Sequence, residues 1–465
     1  MTAPDRSEST AQASADESAI SPYPREAYSW YVVGILMIVY VFSFMDRQIL
    51  ALLVDPIKAD LDISDTQISY LGGFAFALFY TLFGIPIARM ADSKNRKVII
   101  SAGLATWSLF TMLCGTANRF LSFALFRMGV GVGEATLSPS AYSMISDMFR
   151  PERMAIAISI YSAGIYIGTG LSNIFGGLVI GYAESMDNLS LPIIGAVESW
   201  QYVFFAVGFP GLLFTLVMLS VKEPVRRVSI GAGESQQKSI PLDQVVDYIR
   251  ANQKTFLYHN VGFALCSFIS YGGAYWIPSY LIRIHELTRQ EAGLYYGSIV
   301  MVFGTAGIIF GGWLSARLSQ KGQVDSKIKV GMLAAMLHIP FGIVYPLMPD
   351  ANWALLLLCP AVFTAAMPFG VAPAAIQQMM PARMRAQGAA VYLFVINLIG
   401  LGLGPTAVAW FTDYVYGDPN KVHMSLLWVS TLFGVIAVFL LWKASEHFQK
   451  SLDYLRVYEE KVRGS

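Results

Sequence analysis

Charge is what this chain of 465 residues has least of: Asp, Glu, Lys and Arg make up 14% of it, against about a quarter of an ordinary soluble domain. With 55% hydrophobic residues, that deficit excludes a soluble domain and puts the chain among polytopic membrane proteins. The net charge of +1 carries no information about partners, and no basic cluster argues for nucleic acid. Cysteine is scarce too. Cys114, Cys266 and Cys359 all fall inside apolar runs without C-x-x-C spacing, which excludes a disulfide framework or a thiolate metal site and leaves them as packing residues. A Walker A loop, HExxH, GxSxG and any Cys/His cluster are also missing. The expectation is therefore a non-enzyme without cofactor or metal, and one not driven by its own ATPase. Residues 1–28 are rich in Ser, Ala, Asp and Glu and have no basic region followed by an apolar core. They are expected to form a disordered cytoplasmic tail, not a cleaved signal peptide.

What is present is apolar length. Runs long enough to span a bilayer recur at about 30–54, 67–91, 97–117, 119–148, 154–182, 199–221, 255–283, 290–318, 327–347, 352–380, 384–410 and 424–445. A span needs about 20 residues. Of the 32 basic residues, only Lys58, Arg119, Arg283, Arg289 and Lys421 fall on one side, while Arg47, Arg89 and Arg127 lie within spans. The rest gather with the termini, which the positive-inside rule makes cytoplasmic. The expected class is an all-α integral membrane protein with 12 transmembrane helices in two six-helix halves, 29–221 and 255–445, followed by a cytoplasmic tail at 446–465. The connection 222–254 carries Leu242, Val245, Val246 and Ile249 at i, i+3, i+4, i+7. That pattern suits either an amphipathic helix on the inner membrane surface or a tether with a helical stretch.

Four charges sit deep in apolar helices: Asp46 and Arg47 in VFSFMDRQILALLV, Arg127 and Glu134 in LFRMGVGVGEATLSPS. Each costs roughly 2.5–3.5 kcal/mol at a bilayer-centred position on insertion scales, and spanning requires none of them. Arg127 and Glu134 lie nearly two turns apart on one face, about 10 Å along the axis. Counting helix rise puts Asp46 level with Arg127 in the outer half, with Glu134 nearer the middle. Asp46 with Arg127 and Arg47 with Glu134 is one arrangement, and a single shared network is the other. His259 and His338 read as core residues. Asn397 and Gln377 are candidate polar contacts in a cavity.

Several motifs carry a family resemblance. The loop ARMADSKNRK (88–97) resembles the signature loop of the major facilitator superfamily, with Asp92, Arg96 and Lys97 matching and Ser93 and Asn95 departing from it. GGWLSARLSQKG (311–322) resembles a degraded second copy. Arg127, Gly131, Gly133 and Pro139 resemble the family's fourth-span pattern, and WQYVFF (200–205) and KEP (222–224) its sixth. Within the superfamily, FMDRQIL (44–50), GVGEA (131–135) and NLIGLGLGP (397–405) make the chain most similar to Spinster proteins. The resemblance implies the MFS fold, a monomer, gating roles for Asp92, Arg96 and Lys97 on the cytoplasmic side, and Arg47–Glu134 as the cavity pair. Spinster-like proteins are associated with export of lysophospholipids and sphingosine phosphate.

The expected function is proton-coupled secondary transport of an anionic amphiphile by alternating access. When Arg47 engages the substrate's anion, Glu134 loses its counter-charge and takes up a proton; Asp46 and Arg127 support that pair. The second half is aromatic, with Phe263, Phe268, Tyr271, Tyr275, Trp276, Phe303, Phe363 and Phe369, and could supply an apolar wall for a tail. Alternatives are a symporter of small organic anions or sugar acids, a drug/proton antiporter and a non-transporting sensor. The implied partners are the amphiphilic or anionic solute, protons and membrane lipids, and the expected location is a bacterial inner membrane.

Overall fold

The computed structural model describes residues 23–186, 189–191, 195–226, 242–381 and 384–464; at 92, 151, 152, 155, 191, 242, 386 and 462–464 it describes the backbone alone. Most of the tail expected at 1–28 lies outside the described residues. Among them, eleven helices are long and apolar enough to cross a membrane. In chain order these are Glu26–Leu52, Asp65–Ala91, Arg96–Cys114, Phe120–Met148, Ile156–Glu184 and Ser199–Ser220, then Arg289–Gln320, Ser326–Leu347, Ala351–Gln378, Gln387–Tyr416 and Pro419–Lys461. The seventh expected span is the helix Gln253–His285, 33 residues long but less apolar than the others. The reason is its surroundings: His259, Asn260, Ser267 and Ser279 on it are buried in protein, so this helix needs little lipid-facing surface.

Local chemistry sets the ends. Ser64 and Gln67 form a capping box at the start of the second span, and Thr288 and Glu291 form one at the start of the eighth. Asn95 caps the third span through the Val98 N–H. Left-handed Glu286 (φ 54°) terminates the seventh.

The two halves repeat one packing scheme. In the first half the third span packs on the fourth and sixth, the fourth on the second, and the first on the fifth. In the second half the ninth packs on the tenth and twelfth, the tenth on the eighth, and the seventh on the eleventh. Each pairing recurs six spans later, as parallel repeats about an axis along the membrane normal demand. Contacts between the halves follow the same symmetry, fifth on eighth and second on eleventh. Three of those four spans contain π-helical turns, at Tyr70–Phe74, Val300–Gly304, Ile396–Leu403 and Phe411–Tyr416, the kind of irregularity that collects at functional sites.

Two further helices lie at the end that carries Glu26 and the connection between the halves, called here the terminal end as opposed to the far end. The last helix runs from Val422 to Gly464 without a break, so most of the expected tail at 446–465 is helix. Leu242–Ala251 is helical as anticipated, but it docks on the second half. Val245 and Tyr248 are buried, the Tyr248 hydroxyl donates to the Met379 carbonyl at 2.7 Å, and its ring packs on Tyr454 and Tyr458 of the last helix. Burial raises the Tyr248 phenol above its ordinary range, so it stays a donor. Protein thus covers Val245 and Tyr248, while Val246 and Ile249 stay partly exposed.

The fifth and eighth spans touch through backbone. A Cβ on Gly170 would lie 2.6 Å from the Gly297 carbonyl oxygen, and one on Gly297 2.5 Å from that of Gly170. Gly297→Leu is therefore expected to force the halves apart and lower the thermal midpoint of the purified protein, at a cost of about 1–3 kcal/mol. Gly312→Leu, where a Cβ meets nothing within 4 Å, is expected to leave it unchanged. Equal midpoints for the two variants would refute this reading of the contact.

Candidate functional site

The first span stops being an α-helix at Gln48 and tightens into a 3-10 turn, Ile49–Leu52. The fourth is interrupted after Glu134 and restarts at Leu137. Both irregularities fall next to the deep charges. Arg47 Nη2 donates to Glu134 Oε2 at 2.6 Å, and Ser43, one turn earlier, donates to the same oxygen at 2.6 Å. The expected Arg47–Glu134 pair is formed. Phe44, Phe76 and Tyr80 collar the guanidinium, whose carbon lies 4.6, 4.6 and 5.2 Å from their ring centres.

The pair leaves hydrogen-bonding capacity unspent. Arg47 Nε and Glu134 Oε1 are buried without a partner, although a guanidinium has five N–H donors. Replacing a buried ion pair by apolar side chains is often neutral or stabilising, so stability alone does not account for these charges.

Asp46 and Arg127 are not joined as one of the two expected arrangements has it. Arg127 Nη1 donates to the main-chain carbonyl of Asp46 at 3.1 Å, and Nε to that of Leu71 at 3.2 Å. Leu71 lies in the π turn of the second span, and Asp46 lies just before the first span tightens. Arg127 therefore braces carbonyls where two helices lose α regularity. Both carboxylate oxygens of Asp46 are left buried without a partner.

Phe44, Arg47 and Gln48 share a helix face at i, i+3, i+4. Phe44 and Gln48 line a narrow recess between the halves; Arg47 does not itself line it but packs on the lining residue Phe44. Across the recess, Tyr271 is within electrostatic range of Arg47 and is itself a lining residue. The opposite wall is largely apolar, with Ile269, Ala274, Ile277, Val300, Ala365 and Phe369. Of the eight second-half aromatics singled out in the sequence, only Tyr271 and Phe369 reach this recess. Phe263, Phe268, Tyr275 and Trp276 are buried in the core, and Phe303 is exposed. Asn397 is half-buried and Gln377 exposed, and neither lines the recess.

The gating residues resolve unevenly. The Asp92 side chain lies outside the described residues. Arg96 is fully buried and binds Asp147 at 2.5 Å, Glu223 at 2.8 Å and Ser143 at 2.8 Å, which ties the third span to the fourth and to the KEP segment. The Lys97 N–H donates to Glu223 at 2.9 Å, and its ammonium donates to the Leu219 carbonyl at 3.3 Å. This cluster joins spans of the first half.

The sequence reading missed the clasp at the far end. Arg283 of the seventh span binds Asp55 at 2.7 Å and Asp65 at 2.8 Å, and Lys58 also pairs with Asp65. Asp413 of the eleventh span accepts the Thr66 N–H at 2.6 Å, capping the second span from the other half. Tyr275 donates to the Ile68 carbonyl at 3.1 Å, and Arg289 binds Glu184 at 2.5 Å. Arg283 was visible in the sequence only as one of few basic residues on that side. Arg283→Gln removes charge-assisted bonds worth about 1.5–3 kcal/mol each. It is expected to speed maleimide labelling of a cysteine placed at Ser69 about tenfold in detergent; unchanged labelling would show that the clasp does not hold this end shut.

The profile of the Major Facilitator Superfamily matches residues 36–405. The fold is similar to the crystal structure of a bacterial homologue of the human lysosomal transporter Spinster in an inward-facing, unoccupied conformation. The TM-score is 0.78 with 27% identity, covering 92% of this chain and 99% of that one. An MFS-type efflux pump of Mycolicibacterium smegmatis is 25% identical over 92% of this chain and 95% of its own length. A probable L-galactonate transporter of Escherichia coli is 24% identical over 71% of each.

Proposed function

This chain belongs to the Major Facilitator Superfamily, and from that premise we propose that it is a proton-coupled secondary transporter of an anionic amphiphile, of the lysophospholipid or sphingosine-phosphate kind. The observation that carries the reading is the underused Arg47: buried, collared by aromatics, bonded to one oxygen of Glu134 with its Nε unpartnered, and packed on Phe44, which lines a recess with a largely apolar far wall. An anionic head can take the free N–H donors while its tail lies along Ile269, Ile277 and Phe369. As the head engages Arg47, Glu134 gives up its partner and accepts a proton, so substrate and proton move through one switch. The unpartnered Asp46 carboxylate is a second place for that proton.

With both termini cytoplasmic in a bacterial inner membrane, the clasp of Arg283, Asp55 and Asp65 faces outside, and this state loads from within. Alternating access then breaks the clasp and closes the terminal end, where Arg96 and Lys97, with Asp92 of the same loop, act as the latch. The protein works as a monomer among membrane lipids.

A second reading, symport of a small sugar acid, is favoured by the polar lining residues Gln48, Thr169 and Ser270 and by the likeness to the L-galactonate transporter.

In proteoliposomes, Arg47→Ala is expected to cut uptake of a labelled lysophospholipid at least tenfold, with Arg47→Lys intermediate because a point charge replaces a fork of donors. Glu134→Gln is expected to retain exchange but to lose its response to a pH gradient. Wild-type rates in Arg47→Ala, or a wild-type pH response in Glu134→Gln, would refute the coupling. Uptake of galactonate in place of the lipid would favour the second reading.

A further inference from the structure

The seventh span is held at one rotation. A Cβ on Gly272 would lie 3.0 Å from the Gly404 carbonyl oxygen of the eleventh span, and Trp276 Nε1 donates to the Pro405 carbonyl at 2.8 Å. On another face Tyr275 crosses to the first half, where its hydroxyl donates to the Ile68 carbonyl at 3.1 Å. Tyr271 lies one turn before Tyr275 on that same face. It packs against the cluster built around Phe44, Phe76 and Leu401. Its ring stands edge-on to Phe369, 5.9 Å away at 87°, and both residues line the recess.

The Tyr271 hydroxyl comes within hydrogen-bonding reach of Arg47. Of the side chains whose charge or dipole Arg47 feels, Glu134 and Tyr80 belong to its own half and Tyr271 to the other. A guanidinium only donates, so the phenol oxygen faces the donors and its proton points elsewhere. Among the described residues no hydrogen bond runs from this hydroxyl to a protein acceptor, and Arg47 Nε has no acceptor either. Two donors from opposite halves are thus unspent at one place. A hydroxyl polarised by a neighbouring cation donates a stronger bond. No Asp or Glu lines the recess, so an anion there meets no opposing carboxylate on its walls.

We propose that Tyr271 completes the anion site from the second half: its hydroxyl donates to the same anionic group that Arg47 binds from the first. This rests on the reading of Arg47 as the anion site and adds how the second half senses occupancy there. In the empty site the halves meet through a neutral phenol beside a guanidinium. In the filled site one anion takes charge-assisted bonds from both. The ligand then favours the arrangement in which Arg47 and Tyr271 stand together. Tyr271 serves the charged group and not the apolar tail.

The test measures binding to the purified full-length protein of 1-oleoyl-glycerol 3-phosphate and of uncharged 1-oleoyl-glycerol. Tyr271→Phe keeps the ring and removes the hydroxyl. It is expected to weaken the charged probe about tenfold, the worth of one bond to a charged group, and to leave the uncharged probe unchanged. Tyr271→Trp, which keeps an N–H donor, is expected to retain part of the affinity. In an Arg47→Ala background, where the anion is no longer seated, Tyr271→Phe is expected to lose most of its effect. Wild-type affinity for the charged probe in Tyr271→Phe would overturn the inference and leave the Arg47 site standing. Equal weakening of both probes would also overturn it, because packing alone would then explain the loss. Wild-type affinity in Arg47→Ala would overturn the anion site and this inference with it. If wild type binds neither lipid, the amphiphile reading falls, and the same variants are compared with galactonate; equal galactonate binding by Tyr271→Phe and wild type, or none by either, would overturn the role of Tyr271.

Discussion

A guanidinium and a carboxylate held 2.6 Å apart between the first and fourth spans set the terms for the middle of this molecule. Neither charge can sit in hydrocarbon alone, and removing one partner of a buried pair costs about 3–5 kcal/mol. The two helices must therefore stay in register, with Ser43 delivering its hydroxyl to the same oxygen. The surrounding rings of Phe44, Phe76 and Tyr80 pack on the guanidinium, whose Nε is left without a partner. A site that is satisfied enough to fold and still short of partners is one that a ligand can complete.

The same rule, that polar groups in an apolar medium must find partners, explains the roles of the other charges. Arg127 spends its donors on main-chain carbonyls at two helix irregularities and acts as a brace. Arg96 is buried among Asp147, Glu223 and Ser143 and locks the terminal end of the first half. Arg283 ties the seventh span to Asp55 and Asp65 across the halves. Each arginine is matched, but to different things: another side chain, the backbone, or the opposite half. Only the last kind of contact has to break for the halves to rock, and the contacts of that kind described above gather at the far end.

The recess inherits an asymmetry from the repeat. The two halves use one packing scheme, yet the deep charges belong to the first alone. The second half offers its counterpart surface mainly as aliphatic and aromatic side chains such as Ile269, Ile277 and Phe369.

The sequence by itself determined the class and plan of this protein. Long apolar runs dictate membrane helices, the scarcity of charge makes Asp46, Arg47, Arg127 and Glu134 conspicuous, and the loop and span motifs point to the superfamily. These signals are local, because hydropathy and spacing act along one helix. Even Arg47–Glu134 was reachable, as one of two arrangements that helix rise left open and the one the family resemblance implied. Tertiary structure decided what depends on how helices rotate and lean on one another. Arg127 turned out to meet a carbonyl where a carboxylate was one expectation, because the π turn at Tyr70–Phe74 presents Leu71 to it. Tyr248 turned to protein, not lipid. Phe263 and Trp276 vanished into the core while Phe369 reached the recess, although all three look alike in an apolar run. His338 read as an ordinary core residue, and only the packing of the helices places it on the wall of the recess. A helix face is chosen by its neighbours, and the neighbours lie far away in the chain.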